Sequence, residues 1–402
     1  MNISLDVKYN PILYKYFTIF SNTIFVWPIL IPYMKSKGLD FFHIMLFYSS
    51  IEILTILLEV PTGIAADHFG YKKIINVGSF LKSLAFIFLM FYDMTNIFIF
   101  IISVFLFAIS DSLLSGSTTA ILYDSLIVLN KENEYKSIIR STRSLTMYSL
   151  AIATLSSGFL FELNPYIPFI LTILFLLLSF FVSIFYYNEK RDNIKKYNVF
   201  QFEYIKNNIP EFRSILPITF IIAIFTFFYS NMNFIAQEYM LALNVNPKYF
   251  GIVFFFSNII SAIVLKKGDM IENILKKNTK WLMCLYLSVC YIVLFISKNM
   301  LISLLTIPLM RISSATILPL LDVELNKSIR SSDRATILSM NNAIVGLILF
   351  VLDPFLGKLI DMYNIFNVLK ILTIISILYS LYLYIVSFKN ENVSENVNAD
   401  IN

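Results

Sequence analysis

The chain has 402 residues, of which 58% are hydrophobic and only 14% are charged, and its formal net charge is +5. Soluble globular proteins have about 25% charged residues, and a soluble core this apolar would leave too few polar side chains to cover its surface. The composition therefore excludes an ordinary soluble protein and predicts a chain that crosses the lipid bilayer many times.

Apolar runs of about 20 residues recur along the whole chain, and each is long enough to cross the hydrocarbon layer as a helix. They predict an all-α polytopic membrane protein, because a lipid-exposed backbone must satisfy its own hydrogen bonds. The first bundle, 1–187, holds predicted helices at 11–33, 41–62, 73–92, 97–122, 138–160 and 165–187. After a cytoplasmic linker, 188–213, the second bundle, 214–387, holds six more, followed by a cytoplasmic tail at 388–402. These six are predicted at 214–239, 247–266, 280–297, 300–322, 335–356 and 364–387.

The positive charges predict how these twelve helices are oriented. With the N-terminus in the cytoplasm, 23 of the 31 Lys and Arg residues fall in cytoplasmic segments and five fall in external loops. An excess of Lys and Arg in short loops marks the cytoplasmic side of a membrane protein. Both termini are therefore predicted to be cytoplasmic.

The two predicted bundles resemble one another in sequence. Ser21-Asn22 in the first helix aligns with Ser230-Asn231 in the seventh, and weaker similarities join the fourth helix to the tenth. A third similarity joins the turn before the sixth helix to the turn before the twelfth. Because the three occur in the same order, they predict two six-helix pseudo-repeats, an arrangement found in many transporters.

The turn after the second predicted helix, GIAADHFGYKK (63–73), concentrates polar residues in an otherwise apolar chain. It resembles the loop between helices two and three of the major facilitator superfamily, whose pattern is roughly G-x-x-x-D-R-x-G-R-[KR]. His68 and Tyr71 stand where that family usually has arginine. The stretches SGSTTAILYDSL (115–126) and RATILSM (334–340) resemble a bacterial efflux-type branch of the superfamily. The residues that fit the loop pattern are Gly63, Asp67, Gly70, Lys72 and Lys73.

The resemblance implies the twelve-helix fold of that superfamily and a cytoplasmic gate formed by this turn. Gly63 and Gly70 would permit close helix approach and a positive φ, and Asp67 would accept hydrogen bonds from a neighbouring helix N-terminus. The gate would hold the cytoplasmic side shut in one state and release it in the other. The alternative is a positively charged turn that only fixes the topology.

Ionisable residues inside the predicted spans are candidates for function, because a charge at mid-bilayer must face a partner or a cavity. Asp111 and Arg311 lie at nearly matching depth on the fourth and tenth predicted helices. In the superfamily, helices one, four, seven and ten line the central cavity. We therefore predict that Asp111 and Arg311 form an ion pair or a couple that responds to substrate and protons. The alternative is a structural pair that locks the two halves together.

Glu52, near the middle of the second predicted helix, carries a carboxylate that can bind and release a proton. It is a candidate for proton coupling, and a salt bridge with Lys82 is the alternative.

Amide side chains on cavity helices can donate to and accept from a substrate, although they can equally bridge helices. The amide candidates are Asn22, Asn231, Asn233 and Gln237, of which Asn22 and Asn231 are the preferred pair because the repeat aligns them.

The sequence predicts a secondary transporter. No motif for catalysis or nucleotide binding is present, and the two cysteines and two histidines lack metal-ligand spacing, so no enzyme, cofactor or metal site is expected. The expected partners are a small-molecule substrate, protons as the coupling ion and the lipid bilayer, with no nucleic acid. We predict a monomer in the bacterial cytoplasmic membrane. The resemblance favours efflux of amphipathic or drug-like compounds; uptake of a sugar, nucleoside or peptide and a non-transporting receptor are alternatives.

Overall fold

The computed structural model describes residues 7–92, 96–187, 202–297, 299–329 and 334–399, and every regular element among them is helical. Eleven helical segments in this part of the chain are long and apolar enough to cross a membrane. They are numbered here as α1 (Asn10–Ser36), α2 (Phe41–Phe69), α3 (Tyr71–Met90), α4 (Ile97–Val128), α5 (Glu132–Leu163), α6 (Ile167–Ile184), α7 (Ile215–Ala242), α8 (Pro247–Lys266), α9 (Thr279–Ile296), α10 (Met300–Asn326) and α11 (Ile337–Phe388). The prediction of an all-α polytopic protein is confirmed.

Some of these segments contain turns or continue beyond the apolar stretch. The segment α4 consists of the helices Ile97–Leu114 and Ser117–Val128, joined at Gly116, whose φ is 74°. The segment α7 belongs to a longer helix that begins at Phe202, inside the stretch predicted as linker, whereas 188–201 lie outside the described residues. The short helix Gly268–Leu275 connects α8 to α9.

The last segment, α11, lies where the sequence predicts two helices. A straight helix of its 52 residues would be about 78 Å long, more than twice the roughly 30 Å of a hydrocarbon layer. The helix Arg334–Ala399, which contains α11, is interrupted at Asn364, where φ is 62° and ψ is 162°. Oδ1 of Asn364 accepts hydrogen bonds from the backbone N–H groups of Phe366 (3.1 Å) and Asn367 (3.2 Å). Asn364 thus caps the arm 365–399 and separates it from the arm 334–363.

The helices pack in corresponding pairs in the two halves. In the first half α2 packs on α4, and α3 packs on α4 and α6; in the second half α8 packs on α10, and α9 packs on α10 and α11. The halves meet where α2 packs against α11 and where α5 packs against α8. One large cluster of buried apolar residues draws on both halves, while the smaller clusters each belong to a single half.

The first segment, α1, is broken in the middle. The helix Asn10–Asn22 ends before a non-helical stretch, and the chain resumes with the 3-10 turn Trp27–Ile29 and the helix Leu30–Ser36. A break inside a membrane span leaves backbone groups that only protein side chains can satisfy. Thr172 of α6 accepts from the Phe25 N–H at 3.0 Å, and Ser157 of α5 donates to the Phe25 carbonyl oxygen at 2.5 Å.

The hydrogen bond from Phe25 to Thr172 is expected to contribute measurably to stability. Replacing Thr172 with valine leaves the buried Phe25 N–H without an acceptor, which costs about 1–3 kcal/mol of unfolding free energy. The matched control is Thr373→Val, because the Thr373 hydroxyl is also buried but donates to the Leu369 carbonyl of its own helix. Unfolding of both variants in detergent should show the larger loss for Thr172→Val. Equal losses would contradict this account of the break.

Candidate translocation cavity

A cavity of about 710 Å³ lies between the two halves and is lined by α2, α4, α7, α10 and α11. It extends to Asp322, Leu325 and Asn326, near the end of α10. We call that end of the bundle the basic end, because the turn between α2 and α3, with Lys72 and Lys73, lies there as well. The opposite end, where α1 finishes and α2 begins, is called the closed end. The polar residues that line the cavity are Glu52, Thr55, Asp111, Thr226, Tyr229, Asp322, Asn326, Asn341 and Asn342.

At the closed end, charged side chains join the two halves. Lys35 of α1 forms an ion pair with Glu238 of α7, and Lys248 of α8 lies 3.2 Å from the Glu162 carboxylate of α5. Asp361 of the arm 334–363 accepts hydrogen bonds from the first two N–H groups of α2, at 2.9 and 2.7 Å. The positive end of the helix dipole favours a carboxylate at this position. The closed end is therefore held shut by polar contacts as well as by the shared apolar cluster.

Glycines bring the backbones of the two halves together near the closed end. A Cβ atom at Gly158 of α5 would collide with the carbonyl oxygens of Pro247 (2.7 Å) and Lys248. A Cβ at Gly357 of α11 would lie 2.8 Å from the Phe41 carbonyl oxygen of α2. Because backbone atoms cannot rotate away as a side chain can, these two crossings require glycine.

Gln237 connects the halves through the broken part of α1. Its Oε1 accepts from the Ile31 N–H, and its Nε2 donates to the Trp27 carbonyl oxygen, both at 3.1 Å. This predicted amide, which is buried, therefore satisfies backbone groups exposed by the break and ties α7 to α1. The structure gives it a bridging position at the interface.

The predicted gate turn has the expected positive φ at Gly70 but not at Gly63. Gly70 ends α2 with φ of 84°, and its N–H donates to the Ala66 carbonyl oxygen at 3.0 Å. Gly63 lies within the helix, and a Cβ there would meet nothing within 4 Å, so the expectation of close helix approach at Gly63 is wrong in this structure. Asp67 is half-buried and interacts with a neighbouring group. The gate role of Asp67, Lys72 and Lys73 stays a prediction.

The predicted pairing of Asp111 with Arg311 is wrong in this structure. Asp111 pairs with Lys82 of α3, at 2.9 Å, and the buried Arg311 donates a hydrogen bond to Asn233 of α7. The Arg311 guanidinium also lies over the ring of Tyr229, 5.4 Å from its centroid. Each charge has found a partner on the adjacent helix of its own half, because α3 packs on α4 and α7 packs on α10. The alternative of a pair locking the halves is wrong for the same reason.

Glu52 lines the cavity and is exposed within it. The predicted alternative, a salt bridge with Lys82, is not formed, because Lys82 pairs with Asp111. Among the described residues, Glu52 has neither a hydrogen bond nor an ion pair. A carboxylate in this position can exchange a proton with water that enters the cavity.

Asn22 and Asn231 have matching local surroundings. Nδ2 of Asn22 donates to the Thr18 carbonyl oxygen at 2.8 Å, and Nδ2 of Asn231 donates to the Phe227 carbonyl oxygen at 2.9 Å. In both cases the acceptor lies four residues earlier on the same helix. Asn22 is exposed and Asn231 is buried, so the two amides are not equivalent in access to a ligand.

Asp353 is a buried acid that sequence reasoning does not single out. It lies inside the predicted eleventh helix, is only 4% exposed, and accepts a hydrogen bond from Nδ2 of Asn231 at 2.7 Å. The signal in the sequence is an aspartate within an apolar span, the same signal that selects Asp111.

The sequence analysis also does not predict three acidic residues of the closed end, because the sequence does not show which loops and helix ends meet. They are the ion-pair partners Glu162 and Glu238 and the helix-capping Asp361.

Comparison with known proteins identifies the family. The family model described as "Major Facilitator Superfamily" matches residues 15–351. The chain belongs to the major facilitator superfamily. The resemblance seen in the gate turn is thereby confirmed at the level of the superfamily, and members of this family are transporters.

A curated relative and several solved structures are similar to this chain. "Uncharacterized MFS-type transporter YxaM" of Bacillus subtilis (strain 168) is 35% identical over 159 residues, which is 39% of this chain and only 38% of that protein. The nucleoside transporter NupG superposes with a TM-score of 0.69 at 15% identity, covering 97% of this chain and 100% of that one. A D-xylose-proton symporter superposes with a TM-score of 0.63 at 12% identity, over 95% and 96% of the chains. At these identities the structural likeness concerns the fold.

Proposed function

We propose that this major facilitator protein is a monomeric, proton-coupled secondary transporter that exports small amphipathic molecules by alternating access. The observation that carries the proposal is the cavity between the halves, which reaches the basic end and is shut at the closed end. Its lining combines aliphatic side chains with the carboxylates of Glu52, Asp111 and Asp322. Such a lining suits a molecule with an apolar body and a polar group.

The proposed topology has twelve crossings with both termini in the cytoplasm of a bacterial cell. The arms of α11 on either side of Asn364 supply the eleventh and twelfth crossings. The basic end then faces the cytoplasm, in agreement with the excess of Lys and Arg expected there. In this orientation the cavity opens inward, ready to receive a substrate from the cytoplasm or from the inner leaflet.

Transport would require the cavity to open at the other end. That step breaks the contacts of Lys35 with Glu238 and of Asp361 with the start of α2, and it separates Gln237 from the broken part of α1. The turn at 63–73 would then close the cytoplasmic side, as the family resemblance implies. Proton binding at a carboxylate of the interface would supply the driving force, with Glu52 placed to receive the proton from cavity water.

Replacing Glu52 with glutamine is expected to abolish net transport driven by a proton gradient, because an amide cannot carry a proton. The measurement uses full-length protein in sealed vesicles, with fluorescent amphipathic dyes as probes and an imposed proton gradient. The wild type should move dye against its concentration gradient and should dissipate the proton gradient when dye is added. The matched control is Glu272→Gln, which neutralises an exposed carboxylate on the short helix between α8 and α9.

Two results would count against the proposal. Wild-type vesicles that move no dye beyond vesicles without protein would overturn export of amphipathic compounds. Full gradient-driven transport by Glu52→Gln would remove Glu52 from the coupling mechanism while leaving transport intact.

Uptake of a polar metabolite by the same fold is the second candidate. Solved structures similar to this chain include a nucleoside transporter, a peptide transporter and a D-xylose-proton symporter. The amide groups of Asn326, Asn341 and Asn342 in the cavity lining could serve a polar substrate. Accumulation of a labelled nucleoside, dipeptide or pentose by the same vesicles, with the dyes not moved, would favour uptake.

A further inference from the structure

Asp353 is a carboxylate buried in the interface between the two halves. Its helix is aligned there by two glycines, since Gly346 packs against Ile56 of α2 and Gly357 packs against Phe41. Positions 346, 353 and 357 are seven and four residues apart, close to two turns and one turn, so they share one face of α11. Asp353 therefore lies on the face of α11 that packs against α2, at a level between these two glycine contacts.

One hydrogen-bond acceptor beside Asp353, on the Asn231 side chain, has no donor among the described residues. Nδ2 of Asn231 already donates to Asp353 and to the Phe227 carbonyl oxygen. Oδ1 of the same Asn231 side chain is buried and accepts no hydrogen bond from any described residue. An ionised Asp353 would add only acceptors to this site, whereas a protonated Asp353 adds an O–H donor, the kind of group that the unfilled Oδ1 lacks. A proton on the carboxyl group thus balances donors and acceptors, which a buried polar site requires.

The charges around the site also favour a bound proton. On α2, the ionisable residues between the two glycine contacts (46–55) are Glu52 and Tyr48. The Tyr48 hydroxyl is buried without a partner among the described residues. From α7, the contact is the neutral Asn231 amide. A second carboxylate and two neutral groups do not compensate an ionised aspartate.

Arg311 lies on the wrong side of α7 to serve as the counter-ion. Its contacts are Asn233 and Tyr229, each two positions away from Asn231. Residues two apart on a helix point about 200° apart, so the face of α7 that holds Arg311 is opposite the face that holds Asp353. No ion pair between Asp353 and a Lys or Arg is found in the described part of the chain.

We propose that Asp353 and Asn231 form a buried proton-binding site whose occupancy controls the separation of α2 from α11. This inference rests on the proposed proton-coupled transport and adds a second carboxylate to it. In the proposed neutral state of the site the proton is on a carboxyl oxygen of Asp353, and the helices pack closely. Loss of the proton to water leaves a charge that needs hydration, which favours a wider interface. Glu52, exposed in the cavity on the facing helix, would pass the proton between cavity water and Asp353.

The proton itself can serve as the probe of this site. In full-length protein purified in detergent, the infrared carbonyl band of a protonated carboxylic acid should be present at low pH and should disappear as the pH rises. Asp353→Asn is expected to lose one component of this titrating band. Asp353→Glu, which restores a carboxyl group, should regain this component, and Glu272→Gln, which removes an exposed carboxylate outside the cavity, should leave this component unchanged. Retention of the whole titrating band in Asp353→Asn would overturn the proposal.

Dye movement in vesicles separates this proposal from the proposed function. If the site is correct, Asp353→Asn should lose gradient-driven net transport but keep exchange of dye across the membrane without a gradient, which also shows that the variant is folded. A wild type that moves no dye, but whose infrared band depends on Asp353, would refute export and leave the proton site standing. Gradient-driven transport by Asp353→Asn at the wild-type rate would refute the role of the site and leave export standing.

Discussion

Replacing Gly158 with alanine is expected to force open the closed end of the protein. The added Cβ would collide with the carbonyl oxygens of Pro247 and Lys248 across the contact between α5 and α8, and neither oxygen can move without its backbone. Overpacking of this kind costs about 1–3 kcal/mol. Because this cost falls only on the state in which α5 and α8 touch, we expect the alternative state to gain about fivefold to a hundredfold in relative population, since about 1.4 kcal/mol corresponds to a factor of ten.

Distances between spin labels would measure this shift. Labels at Leu163 of α5 and Tyr249 of α8 use side chains that are 77% and 40% exposed, in a background from which the two buried cysteines have been removed. Gly158→Ala should move the distance distribution to longer values. The control is Gly268→Ala, because a Cβ at Gly268 meets nothing within 4 Å. An unchanged distribution in Gly158→Ala would show that the close backbone contact does not hold this end shut.

Neutralising Asp111 is expected to destabilise the protein because it leaves Lys82 as an unpaired cation within a span. An unpaired charge at mid-bilayer costs about 2.5–3.5 kcal/mol on insertion scales, and the partial exposure of the pair (18% for Lys82 and 38% for Asp111) makes this an upper value. Asp111→Asn should therefore lower the free energy of unfolding by about 2 kcal/mol. The double variant Lys82→Gln/Asp111→Asn should recover most of that loss, because it removes the orphaned charge.

A surface ion pair provides the control for this cycle. Lys131 and Glu134 are 2.8 Å apart but about half exposed, so Glu134→Gln should change stability by less than about 1 kcal/mol. Additive losses from Lys82→Gln and Asp111→Asn would contradict the pairing, since residues in contact are expected to be coupled. A stable double variant that no longer transports dye would assign Asp111 a role in transport beyond its ion pair.

The elements with a local cause could be predicted from the sequence. Apolar runs of about 20 residues gave the positions of the first ten spans to within a few residues at most ends, because a span depends only on local hydropathy. The positive φ of Gly70 was likewise expected from the turn pattern, and the structure has it at 84°. The aligned Ser-Asn pairs of α1 and α7 make the same local hydrogen bonds, as the repeat suggested.

The break in α1 could not be predicted from hydropathy. Residues 23–26 are as apolar as the helix around them, and their backbone is non-helical because Ser157 and Thr172 offer other hydrogen-bond partners to Phe25. Gln237 satisfies Trp27 and Ile31, which follow directly after this stretch. Those three residues lie far away in the chain and on three different helices. Hydropathy reports whether a segment prefers lipid, and it does not report which side chains surround it.

The sequence by itself determined that this protein is a helical membrane transporter of the major facilitator superfamily, because composition, span length and the turn at 63–73 are local properties. The tertiary structure decided which charges pair. Their depth along the spans suggested a pairing of Asp111 with Arg311. In the packed structure the adjacent helix of each half instead provides the partner, which is Lys82 for Asp111 and Asn233 for Arg311. The packing of α11 on α2 likewise gave Asp353 its place at the interface. Partner choice depends on which helix faces meet, and only the packed bundle fixes those faces.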